Sequence, residues 1–308
     1  MNWENMTLAD GFLIVGFSDL PQQQVPLFIS FLFIYLISVA GNVLVMTIIY
    51  SSARLHTPMY FFLTNLSFLE ISYTSIIFPR MLAYFFLQGS HISLTRCLLQ
   101  MYFFIVMVST EFLLLTVMAY DRYVAICSPL RYMTIMNKTV CIQLSAGSWI
   151  IGIMDALPHT ILISKFSFCD SHTINHFFCD LTALINISCT DTQMIETYTV
   201  ILGVILALLT FFPIITSYVN IIAAILKIQS AKGRGKAFST CASHLTVVIL
   251  FYGSLCSTYL RPISRYSIKT NKILSLTYTA LTPLFNPIIY SLKNEEFKNA
   301  LKKRKQFI

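Results

Sequence analysis

The sequence predicts an all-α protein: a seven-transmembrane helix bundle with a short amphipathic cytoplasmic helix at the C-terminus. Three observations carry that prediction. Of 308 residues, 56% are hydrophobic and only 11% are charged, where a soluble domain carries roughly 25%. Seven apolar runs are long enough to cross a bilayer, since a helix rises about 1.5 Å per residue and needs about 20 residues. The lysines and arginines sit between those runs and favour one side of them. An ordinary cytosolic enzyme, a disordered chain and a nucleic-acid binder are excluded, in spite of a net charge of +8.

Four runs carry no charge: 20–53, 197–226, 237–260 and 273–292. Three more carry an intramembrane acid: 58–78 with Glu70, 97–120 with Glu111 and 139–163 with Asp155. Barrel strands would instead alternate over segments of about ten residues, and no internal repeat is present. Residues 1–22 read as an extracellular tail, 23–292 as the membrane domain and 293–308 as a cytoplasmic tail helix. Fourteen basic residues fall on one side and seven on the other, which puts the N-terminus outside and the C-terminus in the cytoplasm. The first 22 residues contain no Lys or Arg and carry Glu4 and Asp10, unlike a cleaved signal peptide. In the tail, Phe297, Ala300 and Leu301 share one side of a basic helix. That pattern suits a helix lying on an anionic membrane lipid surface, or a solvated tail.

Cys97, Cys169, Cys179 and Cys189 fall on the oxidising outer side, where four cysteines allow three pairings. A bridge from Cys97 staples the long loop 164–194 to the third span. The run Cys169-x2-His172-x3-His176-x2-Cys179 mimics metal-ligand spacing. A disulfide sulfur offers no thiolate, so no metal site is expected there. Asn5, in Asn5-Met6-Thr7, is the outer sequon expected to be glycosylated; Asn186 is also outside, beside Cys189.

An ionisable group at mid-membrane costs roughly 2.5–3.5 kcal/mol on insertion scales, so each one calls for a role. Glu70 and Glu111, with Asn42 or Asn286, make an oxygen-rich set suited to a cation or a shared proton. Equally, each acid reads as protonated and bonded to a neighbouring helix. On the third span Cys97, Phe104, Glu111 and Met118 recur every seven residues, nearly two turns, and so share an inward face. Phe104 and Val108 line its outer half, with Ile105, Ser109 and Phe112 alongside; helical spacing alone describes a core stripe as well as a pocket.

Five motifs stand in order: Gly41-Asn42, Pro58-Met59-Tyr60, Met118-Ala119-Tyr120-Asp121-Arg122-Tyr123-Val124-Ala125-Ile126-Cys127, 236–245 (KAFSTCASHL) and 283–290 (PLFNPIIY). Together they resemble the odorant (olfactory) receptors of the rhodopsin-like G-protein-coupled family, over nearly the whole chain. The resemblance implies that Asp121 holds Arg122 at rest, beside Tyr123, and that Tyr218 and Tyr290, the latter in Asn286-Pro287-Ile-Ile-Tyr290, swing inward on activation. It also implies Cys97–Cys179 and Cys169–Cys189 bridges, and a sodium-site region at Asn42, Glu70, Glu111 and Asn286. It further implies a ligand cradle of Phe104, Ile105, Val108, Ser109, Phe112, Leu202, Leu206, Tyr252, Cys256, Tyr259 and Thr279.

The implied partners are a small volatile odorant, a stimulatory heterotrimeric G protein that raises cyclic AMP, and membrane lipid, with no nucleic acid. Phe104 stands where amine receptors of the superfamily carry an aspartate. A cationic ligand finds only aromatic faces, or Asp155 if it turns inward. An apolar cavity with a few hydroxyls suits a neutral ligand with one hydrogen-bonding group, bound at micromolar strength. No catalytic residue set is present: the sequence has no HExxH and no GxSxG. The rival class is an ion- or proton-coupled membrane transporter using Glu70 and Glu111, which would show flux without a G protein and inverted repeats.

Overall fold

The computed structural model describes residues 11–17, 21–87, 90–168, 172–259, 268–293 and 295–305. Among them, five helices are long and apolar enough to cross a membrane. They are α1 (Gln24–Ser51), α2 (Pro58–Leu87), α3 (Leu94–Cys127), α4 (Lys138–Ile163) and α5 (Gln193–Leu226). The next helix, α6 (Ala231–Tyr259), has a shorter apolar stretch, Cys241–Leu255, because its first turns run through Gly233, Arg234 and Gly235. The expected seventh span falls on α7 (Ile268–Leu276), a π-helical turn over Thr277–Leu281, and α8 (Thr282–Lys293). The tail forms α9 (Glu295–Lys305), with Phe297 buried against the bundle.

Several helices extend beyond their apolar runs, while α1 (Gln24–Ser51) is shorter than its run 20–53. The third run stops at 120, yet α3 continues to Cys127; the fifth begins at 197, yet α5 starts at Gln193. Hydropathy marks the stretch that must be in hydrocarbon, whereas a helix ends only where its terminal groups find other partners. Ser93 accepts from Arg96 N–H at the start of α3, and Asn137 accepts from Val140 N–H at the start of α4.

The structure adds one small sheet to the helices, at the end of the bundle where α3 begins. Three short strands, β1 (Phe12–Ile14), β2 (Ser90–Ile92) and β3 (Thr173–Ile174), form a sheet in the order β2-β1-β3. β1 runs antiparallel to β2, with Phe12 opposite Ile92, and parallel to β3, with Ile14 opposite Ile174. Residues 12–14 are therefore built into the fold rather than part of a free tail. Phe12 and Ile14 are buried at 1% and 2% exposure, and alternation over three residues is too short to announce a strand. Gly11 makes the approach possible: its φ is +83°, and a Cβ there would lie 2.2 Å from the Ile92 carbonyl oxygen.

α3 is the axis of the bundle and packs against α2, α4, α5 and α6. The seven-residue stripe read from the sequence faces inward, with Cys97, Phe104, Glu111 and Met118 all at 4% exposure or less. Large apolar side chains on α1, α4 and α5, such as Val25, Ile150, Leu209 and Val219, point outward. A lipid-facing surface requires this, because hydrocarbon solvates such groups and water does not.

Candidate functional site

The outer loop is fixed to α3 first. Cys97, in the first turn of α3, is bonded to Cys179 with Cα atoms 5.4 Å apart. One turn further, Gln100 donates to the Ile76 carbonyl on α2 and accepts from the Cys179 N–H at 3.0 Å. Phe178 is thereby set on Phe104, ring centroids 4.9 Å apart. Its neighbour His176 stacks on Phe177 and is buried at 2% exposure. Burial pushes this imidazole down to about 4; Lys272 pushes the same way and Asp180 opposes it. Cys189 is also disulfide-bonded; Cys169 lies outside the described residues, as does Asn5.

Beneath Phe104 lies a cavity between α3, α4 and α5. Its α3 wall is Phe104, Ile105, Val108, Ser109 and Phe112, and its α5 wall includes Thr199, Val200, Leu202, Gly203, Leu206 and Ala207. Asp155 and His159 of α4 close a third side, with Leu181 and Leu255 at the edges. The Ser109 hydroxyl donates to Asp155 Oδ2 at 2.6 Å across the α3–α4 seam. The floor is aromatic: Phe112 meets Phe251 and Tyr252 of α6 edge-on, at 4.8 and 4.9 Å between centroids. Tyr252 in turn donates to Thr210 Oγ1 on α5 at 2.6 Å.

Two polar sites lie deeper in the bundle. Asn286 of α8 donates to Glu70 Oε1, and Asn42 of α1 donates to the Ser38 and Pro283 carbonyls. Glu70 Oε2 and Glu111 Oε1 are buried with no hydrogen-bond partner. These hard oxygens suit an alkali cation or a retained proton. At the inner end of α3, Arg122 lies 3.4 Å from Asp121, whose other oxygen accepts from Tyr132 OH at 2.7 Å. Burial, then Asp121, pushes the Tyr132 hydroxyl above the ordinary phenol range. Tyr218 of α5 bonds His244 Nδ1 of α6 at 2.7 Å, and donates more weakly to the Cys241 carbonyl.

A family model for olfactory receptors matches residues 31–306. The chain belongs to the olfactory receptor family. Its similar relatives include Olfactory receptor 1G1 of Gorilla gorilla gorilla, 47% identical over 98% of this chain and 97% of that protein. Olfactory receptor 6Y1 of Homo sapiens is 45% identical over 97% and 92%. Olfactory receptor 5AR1 of Mus musculus is 46% identical over 98% and 98%. As a member of this family the protein is a receptor rather than an enzyme, and a multi-pass membrane protein.

In this olfactory receptor, seven of the eleven residues expected in the ligand cradle line the cavity: Phe104, Ile105, Val108, Ser109, Phe112, Leu202 and Leu206. Tyr252 lies beneath it, against Phe112. Thr279 is fully buried elsewhere, with its hydroxyl donated to the Ser275 carbonyl. The side chains of Cys256, Tyr259 and Tyr290 lie outside the described residues. Sequence reasoning missed His159 and Thr199 and left Asp155 conditional on its direction. The signal was present: Asp155 and His159 are four apart on one helix face, and Asp155 is the only acid in its span. His244, which stands alone in the sequence, is paired with Tyr218.

Proposed function

We propose that this receptor has seven spans, with the N-terminus and a glycosylated Asn5 outside and the C-terminus in the cytoplasm. It binds small, mostly apolar volatile odorants in the α3–α4–α5 cavity and activates a stimulatory heterotrimeric G protein, raising cyclic AMP. The observation that carries this reading is Phe112. The same ring lines the cavity and packs edge-on against Phe251 and Tyr252 of α6. A ligand resting on Phe112 therefore bears on α6, the helix whose inner half holds Tyr218 through His244. A compound that fits a displaced α6 better shifts the population toward it. Outward movement of α6 frees Tyr218 and exposes Arg122, now held by Asp121, to a G-protein helix. Tyr123, Pro287 and Tyr290 belong to the same switch.

Glu70 and Glu111, with Asn42 and Asn286, hold a sodium ion or share a proton, which answers their unpartnered buried oxygens. The α9 helix, apolar on its Phe297 side and rich in lysine, lies on the inner leaflet. Cys169 pairs with Cys189. The test is a cyclic-AMP assay in cells displaying the receptor, against a chemically varied odorant panel, with Arg122→Ala as the comparison. We expect at least one odorant to raise cyclic AMP, and Arg122→Ala to be silent at equal surface level. A response that survives Arg122→Ala would remove the switch assignment.

A further inference from the structure

Among the described residues the cavity has four polar side chains, and each of their protons is committed or absent. Ser109 gives its hydroxyl proton to Asp155 Oδ2 at 2.6 Å. Thr199 gives its own to the Ile195 carbonyl at 2.7 Å. Asp155 takes the Ser109 hydrogen on Oδ2 and so stands in the cavity as an acceptor. His159 Nδ1 lies 2.9 Å from the Asp155 backbone carbonyl. A carbonyl can only accept, so Nδ1 carries the hydrogen, and in the neutral ring Nε2 offers a lone pair. Every polar side chain among the described residues of this wall accepts; the other described lining side chains are apolar, apart from the single glycine.

We propose that the cavity selects odorants that donate a hydrogen bond, hydroxyl or amine compounds, over carbonyl compounds of the same skeleton. The inference rests on reading this cavity as the odorant site and adds the sign of the polar contact. A hydroxyl or ammonium hydrogen reaches an oxygen of Asp155 or Ser109 and is satisfied. The oxygen of a ketone, aldehyde or ester is stripped of water and meets only other lone pairs. A buried site that leaves one partner unpaired discriminates by tenfold or more. The rival reading of the Ser109–Asp155 bond is a strut joining α3 to α4 with no bearing on ligand choice. Asp155→Asn separates the two, because the amide keeps an acceptor for Ser109 and adds N–H donors to the wall.

The experiment compares full-length receptor with Asp155→Asn in the cyclic-AMP assay, surface level being measured by antibody. The probes are matched pairs: octan-1-ol with octanal, cyclohexanol with cyclohexanone, benzyl alcohol with benzaldehyde, and octylamine as the cationic arm. In wild type we expect alcohols to act at concentrations at least tenfold below their carbonyl partners. In Asp155→Asn that ratio narrows below threefold or reverses. Octylamine outperforming octan-1-ol assigns the donor to an ammonium, and the opposite order to a neutral hydroxyl. Carbonyl compounds equal to or better than alcohols in wild type overturn the proposal, as does an unchanged ratio in a surface-expressed Asp155→Asn. If the variant fails to reach the surface, the wild-type ratio alone decides. Silence of surface-expressed wild type toward every probe and the varied panel strikes the receptor reading itself, an outcome distinct from equal potency of the two members of a pair.

Discussion

At Gly152 the α4 backbone lies hard against α3, and adding one methyl there tests the seam on which the cavity depends. A Cβ at Gly152 would stand 2.3 Å from Thr110 Oγ1, 2.8 Å from the Val106 carbonyl oxygen and 3.1 Å from the Thr110 nitrogen. The first contact is with a side chain that can rotate. The second is with backbone in the middle of a rigid helix, and it is still about half an ångström too short for carbon on oxygen. Gly152→Ala must therefore push the two helices apart. Overpacking of this kind costs about 1–3 kcal/mol, and the backbone contact argues for the upper half of that interval. Asp155 lies one turn above Gly152 and Ser109 beside Thr110, so the 2.6 Å Ser109–Asp155 bond would stretch as the seam opens. The assay is the thermal inactivation midpoint of detergent-solubilised receptor, read with Gly152→Ala, Thr110→Ala and the pair. We expect the single Gly152→Ala to lower the midpoint by several degrees. The pair should recover only part of the loss, since the Val106 carbonyl remains. A neutral Gly152→Ala, or a pair no better than the single, would refute the steric account.

Removing the Cys97–Cys179 link opens a loop of 82 residues, worth roughly 4–5 kcal/mol in the chain-entropy account. Cys97→Ala should therefore abolish surface expression, as immunostaining of intact cells would report. Tyr132→Phe deletes the phenol that holds Asp121. A bond to a charged group is worth about 1.5–3 kcal/mol, so basal cyclic AMP should rise several-fold at unchanged surface level. His176 is buried neutral with a pKa of about 4, while an unfolded imidazole titrates near 6.5. The unfolded chain thus binds the proton first as the medium acidifies. Stability is full above about pH 6.5, falls as pH drops toward 4, and loses at most roughly 3 kcal/mol. His176→Phe, which keeps the stack on Phe177, should flatten that dependence in a thermal-shift series at pH 4 to 8, with Asp180 and Lys272 left in place.

The helices were legible because hydrocarbon leaves the backbone no other choice. A run such as 197–226 can satisfy its N–H and C=O groups in a bilayer only as a helix. The inward face of α3 was equally legible, since Cys97, Phe104, Glu111 and Met118 repeat at nearly two turns and all are buried. The cavity was half legible. Helical spacing put the α3 residues on one face, and the resemblance to the odorant receptors supplied Leu202 and Leu206 of the α5 wall, but the α4 wall depends on whether Asp155 turns toward lipid or toward Ser109. The sheet was not legible. Residues 12–14 pair with 90–92 and 173–174, so their conformation is set by partners far along the chain, and three residues carry too little pattern to report them.

That sheet also explains why the outer face behaves as one piece with the cavity. β1 is hydrogen-bonded along its length to the loop: Leu13 N–H to the His172 carbonyl, Val15 to Ile174 and Gly16 to His176. From the other side, Lys272 of α7 donates to the Gly16 carbonyl at 2.5 Å and lies 6.0 Å over the Phe17 ring. Phe17 stacks on Phe177 at 5.7 Å, beside the Phe178 that rests on Phe104. The roof of the cavity is thus held by a disulfide to α3, a lysine from α7 and a strand from the N-terminal segment. The floor rests instead on aromatic edges and the Tyr252–Thr210 bond. Aromatic pairs are worth about 0.5–1.5 kcal/mol beyond their area, and no covalent link among the described residues crosses them. On the mechanism proposed above, a ligand that strains the cavity moves the boundary that no covalent link holds, and that boundary is α6.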